Sequence, residues 1–216
     1  MSFYTDTSNF QKFFKDDYIV PFNQRSYIWG SEQLKAFWED LVYVETNRSQ
    51  DEKHFLGSII THTSGNNTFI VDGQQRITTF NIVYIALYCQ AMKLINKRES
   101  VVQGGMSRED YQKITNKTKQ YKKDFWDQLK FLLDFDEYPS DGGAPKWSLS
   151  FRPSLRDQQA YNALIDNIQE TIDPTKKIAK YKILTEVQDA ESTIIKNYGI
   201  VLKHIDNMLE NINDEE

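Results

Sequence analysis

The stretch Thr68–Leu87 constrains this chain more than any other. Thr68–Val71 is a short apolar run with β-branched residues, as strands prefer. Asp72-Gly73 then offers a tight turn. From Ile77 the pattern changes: Phe80, Ile82, Val83, Ile85, Ala86, Leu87 and Met92 read as a mostly buried helix. A strand running directly into such a helix needs a sheet on one side and further helices on the other. The expected fold class is α+β. One alternative stays open at this level, because Asp-Gly is also a common hairpin turn and Val71–Ile77 could join two strands.

The neighbouring segments fill in this outline. Thr7 or Ser8 is expected to cap a short helix carrying Phe10, Phe13 and Phe14. Tyr18-Ile19-Val20 reads as a strand stopped by Pro21. Ser31 is expected to cap a helix with Leu34, Phe37, Trp38, Leu41 and Val42 on its apolar side. Phe55–Thr61 and Thr68–Val71 form a hairpin around the turn residues of His62–Asn67. Residues 96–106, with Gly104-Gly105, read as a loop. Ser107–Asp110 resembles a capping box opening a helix through Leu132, apolar at Tyr111, Ile114, Thr118, Tyr121 and Phe125. Pro139–Pro145 is the clearest break. Trp147–Arg152 alternates like one strand, and Arg156–Thr171 looks helical. Asp173-Pro174 is a helix start signal, and Gly199 is expected to divide or kink the last helical stretch. The division expected is a core over residues 1–95 and a mostly helical extension over 96–216, packed on it.

Composition narrows the function. A chain of 216 residues buries enough surface to need no disulfide or metal staple. Its single cysteine, Cys89, rules out an internal disulfide and a thiolate cluster and favours a cytoplasmic setting. His54, His62 and His204 lack metal-ligand spacing. The longest apolar stretch, around Ile82–Leu87, is too short for a bilayer, so no membrane partner is expected. Met1–Asp6 lacks the basic and apolar regions of a signal peptide. A net charge of −5 argues against a general DNA-coating protein. Residues 93–131 nevertheless carry an excess of Lys and Arg. A solvated helix face explains these lysines, and a phosphate-contacting face is the sharper alternative.

Two stretches could do chemistry. A helix N-terminus presents unpaired N–H groups and the positive end of the dipole, which together attract phosphate. There Gly73 allows close backbone approach, Gln74 and Gln75 offer amides, and Thr78 and Thr79 add hydroxyls. Arg76 can form a bidentate pair with a phosphate, and Asp72 could take Mg²⁺ through one oxygen. The ending of a Walker A loop, Gly-Lys-Ser/Thr, is missing. The second stretch is Pro21–Trp29. Gln24 and Arg25 are polar hooks there, and Tyr27 and Trp29 are stacking surfaces for a base. The competing reading packs Tyr27 and Trp29 beneath the following helix.

Four segments in order then carry a family resemblance: Pro21–Trp29, Trp38-Glu39-Asp40-Leu41, His54–Ile60 and Val71-Asp72-Gly73-Gln74-Gln75-Arg76-Ile77-Thr78-Thr79. They resemble the N-terminal domain of the GmrSD family of modification-dependent restriction endonucleases and related phage-defence proteins. The resemblance is specific over residues 18–90, and the pentad Asp72–Arg76 is its hallmark. It implies a ParB/sulfiredoxin-like domain: a small mixed sheet with flanking helices. Gly73 and Arg76 match a phosphate-contacting turn at a helix start, and Arg25 falls in the loop that closes over the ligand. Sulfiredoxin chemistry would need a cysteine where Gln74 or Gln75 stands.

The function this implies is binding, and expected hydrolysis, of a nucleoside triphosphate (GTP, ATP, CTP or UTP) with Mg²⁺, controlling a nuclease carried elsewhere in the chain or by another subunit. The catalytic candidates are Asp72 for metal or water, Gln75 for water and Arg76 for phosphate. Gln24, Arg25, Tyr27, Trp29, Gly73, Gln74, Arg76, Thr78 and Thr79 are the nucleotide-binding candidates. No His-Asn-His nuclease region is present. The alternatives are a non-catalytic module for modified DNA and a protein-interaction scaffold using the C-terminal helices, either of which admits a homo-oligomer.

Overall fold

The computed structural model describes residues 6–14, 16–47, 55, 57–101, 107–129, 133–136, 146–172 and 192–213. Asp173-Pro174 and the whole of the Pro139–Pro145 break lie outside them. In chain order the elements are α1 (Phe10–Phe13), β1 (Tyr18–Ile19), α2 (Ser31–Thr46), β2 (Ile60–Ser64), β3 (Asn67–Asp72), α3 (Gln74–Val101), α4 (Arg108–Leu129), β4 (Leu133–Asp136), β5 (Lys146–Leu149), β6 (Phe151–Arg152), α5 (Gln158–Ile172) and α6 (Thr193–Asn213). The fold is α+β, as expected.

The main sheet is mixed, in the order β2-β3-β1-β6. β2 and β3 form an antiparallel hairpin in which Ser64 faces Asn67. That register leaves Gly65 and Asn66 as the turn, and Gly65 takes a φ of 59°, the backbone a tight hairpin turn requires. β1 lies between β3 and β6, parallel to both. The helix α3 forms the centre of the molecule. Ile77, Ile82, Ile85, Ala86 and Cys89 are fully buried along it. Phe14, Leu34, Ile70, Phe151, Leu164, Val201 and Ile205 from the surrounding elements complete one continuous core. A helix covered on most sides has little to gain from a polar stripe along its middle, and there Ile82–Cys89 is an unbroken apolar run, with Leu87 left exposed.

The structure corrects several local expectations. Asn9, not Thr7 or Ser8, caps α1: its Oδ1 accepts from Lys12 N–H at 2.9 Å. The α2 cap falls on Gly30 rather than Ser31. The Gly30 carbonyl accepts from Leu34 N–H at 3.1 Å, and Gln33 Oε1 accepts from Gly30 N–H at 2.9 Å. At α4 the expected cap holds, since Ser107 Oγ accepts from Asp110 N–H at 3.2 Å. β2 starts at Ile60 rather than Phe55, because the chain at Gly57 has a φ of 89° and cannot be extended there. The loop expected at 96–106 starts later: α3 runs to Val101, since Lys97, Arg98 and Glu99 are good helix formers and the Gly104-Gly105 pair lies further on.

Trp147–Arg152 is not one strand. β5 pairs with β4, whereas Phe151 and Arg152 cross to the main sheet beside β1. The change is made at Ser150, whose carbonyl accepts from Tyr18 N–H at 2.9 Å. Gly199 neither divides nor kinks the last helix, because α6 is continuous from Thr193 to Asn213. A mid-helix glycine costs about 1 kcal/mol, less than the burial of Ile194, Tyr198, Val201 and Leu202 on the same helix contributes. No helix among the described residues is long and apolar enough to cross a membrane.

Buried phenols make the fold sensitive to alkali. Burial pushes the hydroxyls of Tyr18 and Tyr84 up to about 12 and raises Tyr27, Tyr88 and Tyr161 as well. A raised value means that the native state keeps its proton where the unfolded chain, titrating at about 10, has lost it. The stability this contributes is complete below pH 10 and is lost as the pH rises toward 12. Urea midpoints are therefore expected to hold steady up to pH 9.5 and fall between pH 10 and 12. A flat profile across that window would contradict the burial of these rings.

Candidate functional site

The Asp-Gly pair ends a strand and starts a helix, which settles the hairpin alternative. β3 ends at Asp72, Gly73 takes a φ of 98°, and α3 begins at Gln74. The Gly73 carbonyl accepts the first helical bond, from Ile77 N–H at 3.1 Å. A side chain at Gly73 would press on Ile59, 3.1 Å from its Cγ1 and 3.3 Å from its Cα. Backbone conformation and close packing thus both select glycine here.

A second glycine, which the sequence reading did not single out, completes this turn. Gly57 also has a positive φ, and a methyl group there would collide with the Arg76 guanidinium. Arg76 is therefore laid across a bare stretch of backbone. Its Nη2 donates to Asp72 Oδ2 at 3.1 Å, and its side chain stays 27% exposed while that of Asp72 is 63% exposed. One edge of a largely sheltered cation faces outward beside an accessible carboxylate. The signal in the sequence was a glycine inside an otherwise apolar run, which marks a close backbone approach.

The two glutamines have a different use. Both are buried. Gln74 Nε2 donates to the Arg25 carbonyl at 3.0 Å. Gln75 Nε2 donates to the Ser26 carbonyl at 3.1 Å, and its Oε1 accepts from Ile28 N–H at 2.9 Å. Gln24 ties the same loop to β3 by donating to the Val71 carbonyl at 3.0 Å. The segment Pro21–Gly30 is thereby fastened to the start of α3. Unpaired polar groups of a loop so close to the core would cost stability, and the side-chain amides remove that cost. The side chain of Arg25 is exposed, with no ion pair or hydrogen bond to another described residue.

Tyr27 is buried in the core, so its ring is not an open stacking surface. Its hydroxyl lies 2.8 Å from Thr79 Oγ1, which itself donates to the Gln75 carbonyl at 3.0 Å. Trp29 is half-buried against the same core, so the packing reading describes both rings. Ile28 and Phe22, by contrast, are exposed. Thr78 is buried, as are the Asn81 amide and the Tyr161 hydroxyl beside it.

Two further residues support the loop. Asp157, just ahead of α5, accepts from Tyr27 N–H at 2.9 Å and from Ser154 Oγ at 2.7 Å. Asn197 on α6 donates to the Tyr27 hydroxyl at 3.0 Å and to the Trp29 carbonyl at 2.8 Å. Sequence spacing links neither to the site. The one clue was an amide on the apolar stripe of α6, between Ile194 and Val201.

Asp72, Gly73, Arg76 and the Arg25 loop thus meet at one end of α3. The family profile for the N-terminal domain of GmrSD restriction endonucleases matches residues 8–215. The chain belongs to this GmrSD N-terminal domain family. No curated protein matches it. The match covers nearly the whole chain, well beyond the segment 18–90 that carried the resemblance. Membership makes this GmrSD N-terminal domain a component of a restriction or phage-defence system.

Clustered metal donors are missing among the described residues: no group of three or more His, Cys, Asp or Glu there could hold a metal. Asp72 is an accessible carboxylate with one oxygen turned to Arg76. That set suits Mg²⁺, which takes one or two protein carboxylates and completes its shell with phosphate oxygens and water. It does not suit a metal bound by protein alone.

Proposed function

We propose that the start of α3 binds the phosphates of a nucleoside triphosphate and hydrolyses it, and that this step regulates a nuclease elsewhere in the chain or in a partner. The observation that carries the reading is the seating of Arg76. A cation held against glycine backbone at a helix N-terminus is preorganised for an anion, because neither its charge nor the helix dipole must be reoriented on binding. Arg25, exposed on a loop anchored to the same helix turn, supplies a second cation for charge that builds on the phosphates. Mg²⁺ arriving with the nucleotide would be held by Asp72 and would neutralise phosphate charge. Asp72 also orients the attacking water. Gln75 serves by holding the loop, since both ends of its amide are engaged there.

Calorimetry with GTP, ATP, CTP and UTP in the presence of Mg²⁺ tests this. Binding of at least one is expected, with phosphate release over time. Asp72→Ala is expected to keep binding within about threefold, since it removes a weak, exposed ion pair, and to lose turnover. Failure of all four nucleotides to bind would end the proposal.

A second reading, a module for modified DNA, is favoured by α4. Lys113, Lys117, Lys119 and Lys123 are all exposed along it. It calls for a salt-dependent gel shift with modified DNA that is absent with plain DNA.

A further inference from the structure

We infer that Asn197, in the last helix of the domain, is a positioning residue for the loop that carries Arg25, and that it links α6 to the phosphate site. The inference rests on the nucleotide reading above for its functional consequence, and on hydrogen bonds alone for its structural part.

Asn197 is 2% exposed. Its Nδ2 makes both donations to the loop, to the Tyr27 hydroxyl at 3.0 Å and the Trp29 carbonyl at 2.8 Å. The Tyr27 hydroxyl, having accepted that proton, gives its own to Thr79 Oγ1 at 2.8 Å, and Thr79 gives its proton to the Gln75 carbonyl. Burial holds the Tyr27 hydroxyl neutral, so it can donate. The direction of every bond in the chain is thereby set: Asn197 to Tyr27, Tyr27 to Thr79, Thr79 to the first turn of α3. Gln75 then closes the circuit by holding Ser26 and Ile28.

Arg25 stands next to this braced segment. Its carbonyl is fixed by Gln74, and the residues after it are fixed by Gln75, Asp157 and Asn197. No side chain of α6 needs to touch the nucleotide for α6 to matter. A shift of α6 would pull on Tyr27 and Trp29 together and move the backbone on which Arg25 is mounted. Buried networks of this kind have few intermediate arrangements, because a half-broken one leaves polar groups unsatisfied. Events at α6 and the position of Arg25 are therefore coupled, and the coupling acts in both directions.

Hydrogen exchange on the nucleotide-free protein, followed by calorimetry with the best-binding triphosphate and Mg²⁺, tests this. In Asn197→Ala, the amides of Tyr27 and Ile28 are expected to exchange at least tenfold faster, with amides in the middle of α3 unchanged. Nucleotide affinity is expected to fall about tenfold, the scale of one or two lost hydrogen bonds. In an Arg25→Ala background the same substitution is expected to cost little more, because the cation it positions is gone. Tyr27→Phe, which keeps the ring and removes only the hydroxyl, is expected to show a smaller change of the same kind. Unchanged exchange at Tyr27 and Ile28, or fully additive losses with Arg25→Ala, would overturn the inference. If the wild-type protein binds no triphosphate, the nucleotide reading falls, and the exchange rates at Tyr27 and Ile28 alone decide the role of Asn197.

Discussion

Arg76→Ala is expected to weaken nucleotide binding roughly 100-fold and to leave the fold intact. A guanidinium that grips phosphate contributes charge-assisted hydrogen bonds of about 1.5–3 kcal/mol, and the bidentate form sits at the upper end. The dissociation constant should rise roughly 100-fold. The stability cost is small by comparison. The protein partner of Arg76 is Asp72, whose side chain is 63% exposed, and such pairs contribute about 0–1 kcal/mol. Calorimetry and thermal melting together separate the two effects. Arg76→Lys retains the charge but not the planar fork, so it should recover only part of the affinity. Undiminished binding by Arg76→Ala would remove the central residue of the proposed site.

Gly57→Ala is expected to weaken binding almost as much while leaving Arg76 in the sequence. The added methyl group would occupy the place of the guanidinium, so Arg76 must swing away from its seat. The positive φ at Gly57 adds backbone strain of about 1–2 kcal/mol, which should lower the melting temperature by roughly 2–8 °C in a domain of this size. The two consequences can be told apart in an Arg76→Ala background. There the loss of melting temperature should persist, and the loss of binding should not, because no guanidinium remains to displace. Wild-type affinity in Gly57→Ala would mean that the seat does not matter. Gly73→Ala should show a similar strain, with Ile59 as the group that must give way.

Much of the fold was legible in the sequence because it depends on local pattern. The β3–α3 junction is the clearest case, since β-branched residues, a turn pair and a long apolar helix follow one another without interruption. The expectations that failed depended on partners. Trp147–Arg152 has the alternation of one strand, but alternation does not say which neighbour each half will pair with, and the halves went to different sheets. Gly199 is a helix breaker by propensity, yet the buried face of α6 outweighed it. Ser31 is a better capping residue than Gly30, but Gln33 supplied the acceptor instead.

The site divides the same way. By itself the sequence pointed to a strand, a glycine turn and a helix start at Asp72–Arg76, because residue order and backbone preference are local properties, and the structure removed the hairpin alternative. It also determined the family, whose profile matches residues 8–215. Only the tertiary structure decided what each residue of the pentad touches. Gln74 and Gln75 could as well have faced a ligand, but the loop Pro21–Gly30 lies against them with unpaired backbone groups that they satisfy. Tyr27 could have been a stacking surface, but its ring is in the core. Gly57 and Asn197 enter the site from distant parts of the chain, one through the space it leaves empty and the other through two hydrogen bonds. Space and hydrogen-bond satisfaction are properties of the packed molecule, and no spacing along the chain encodes them.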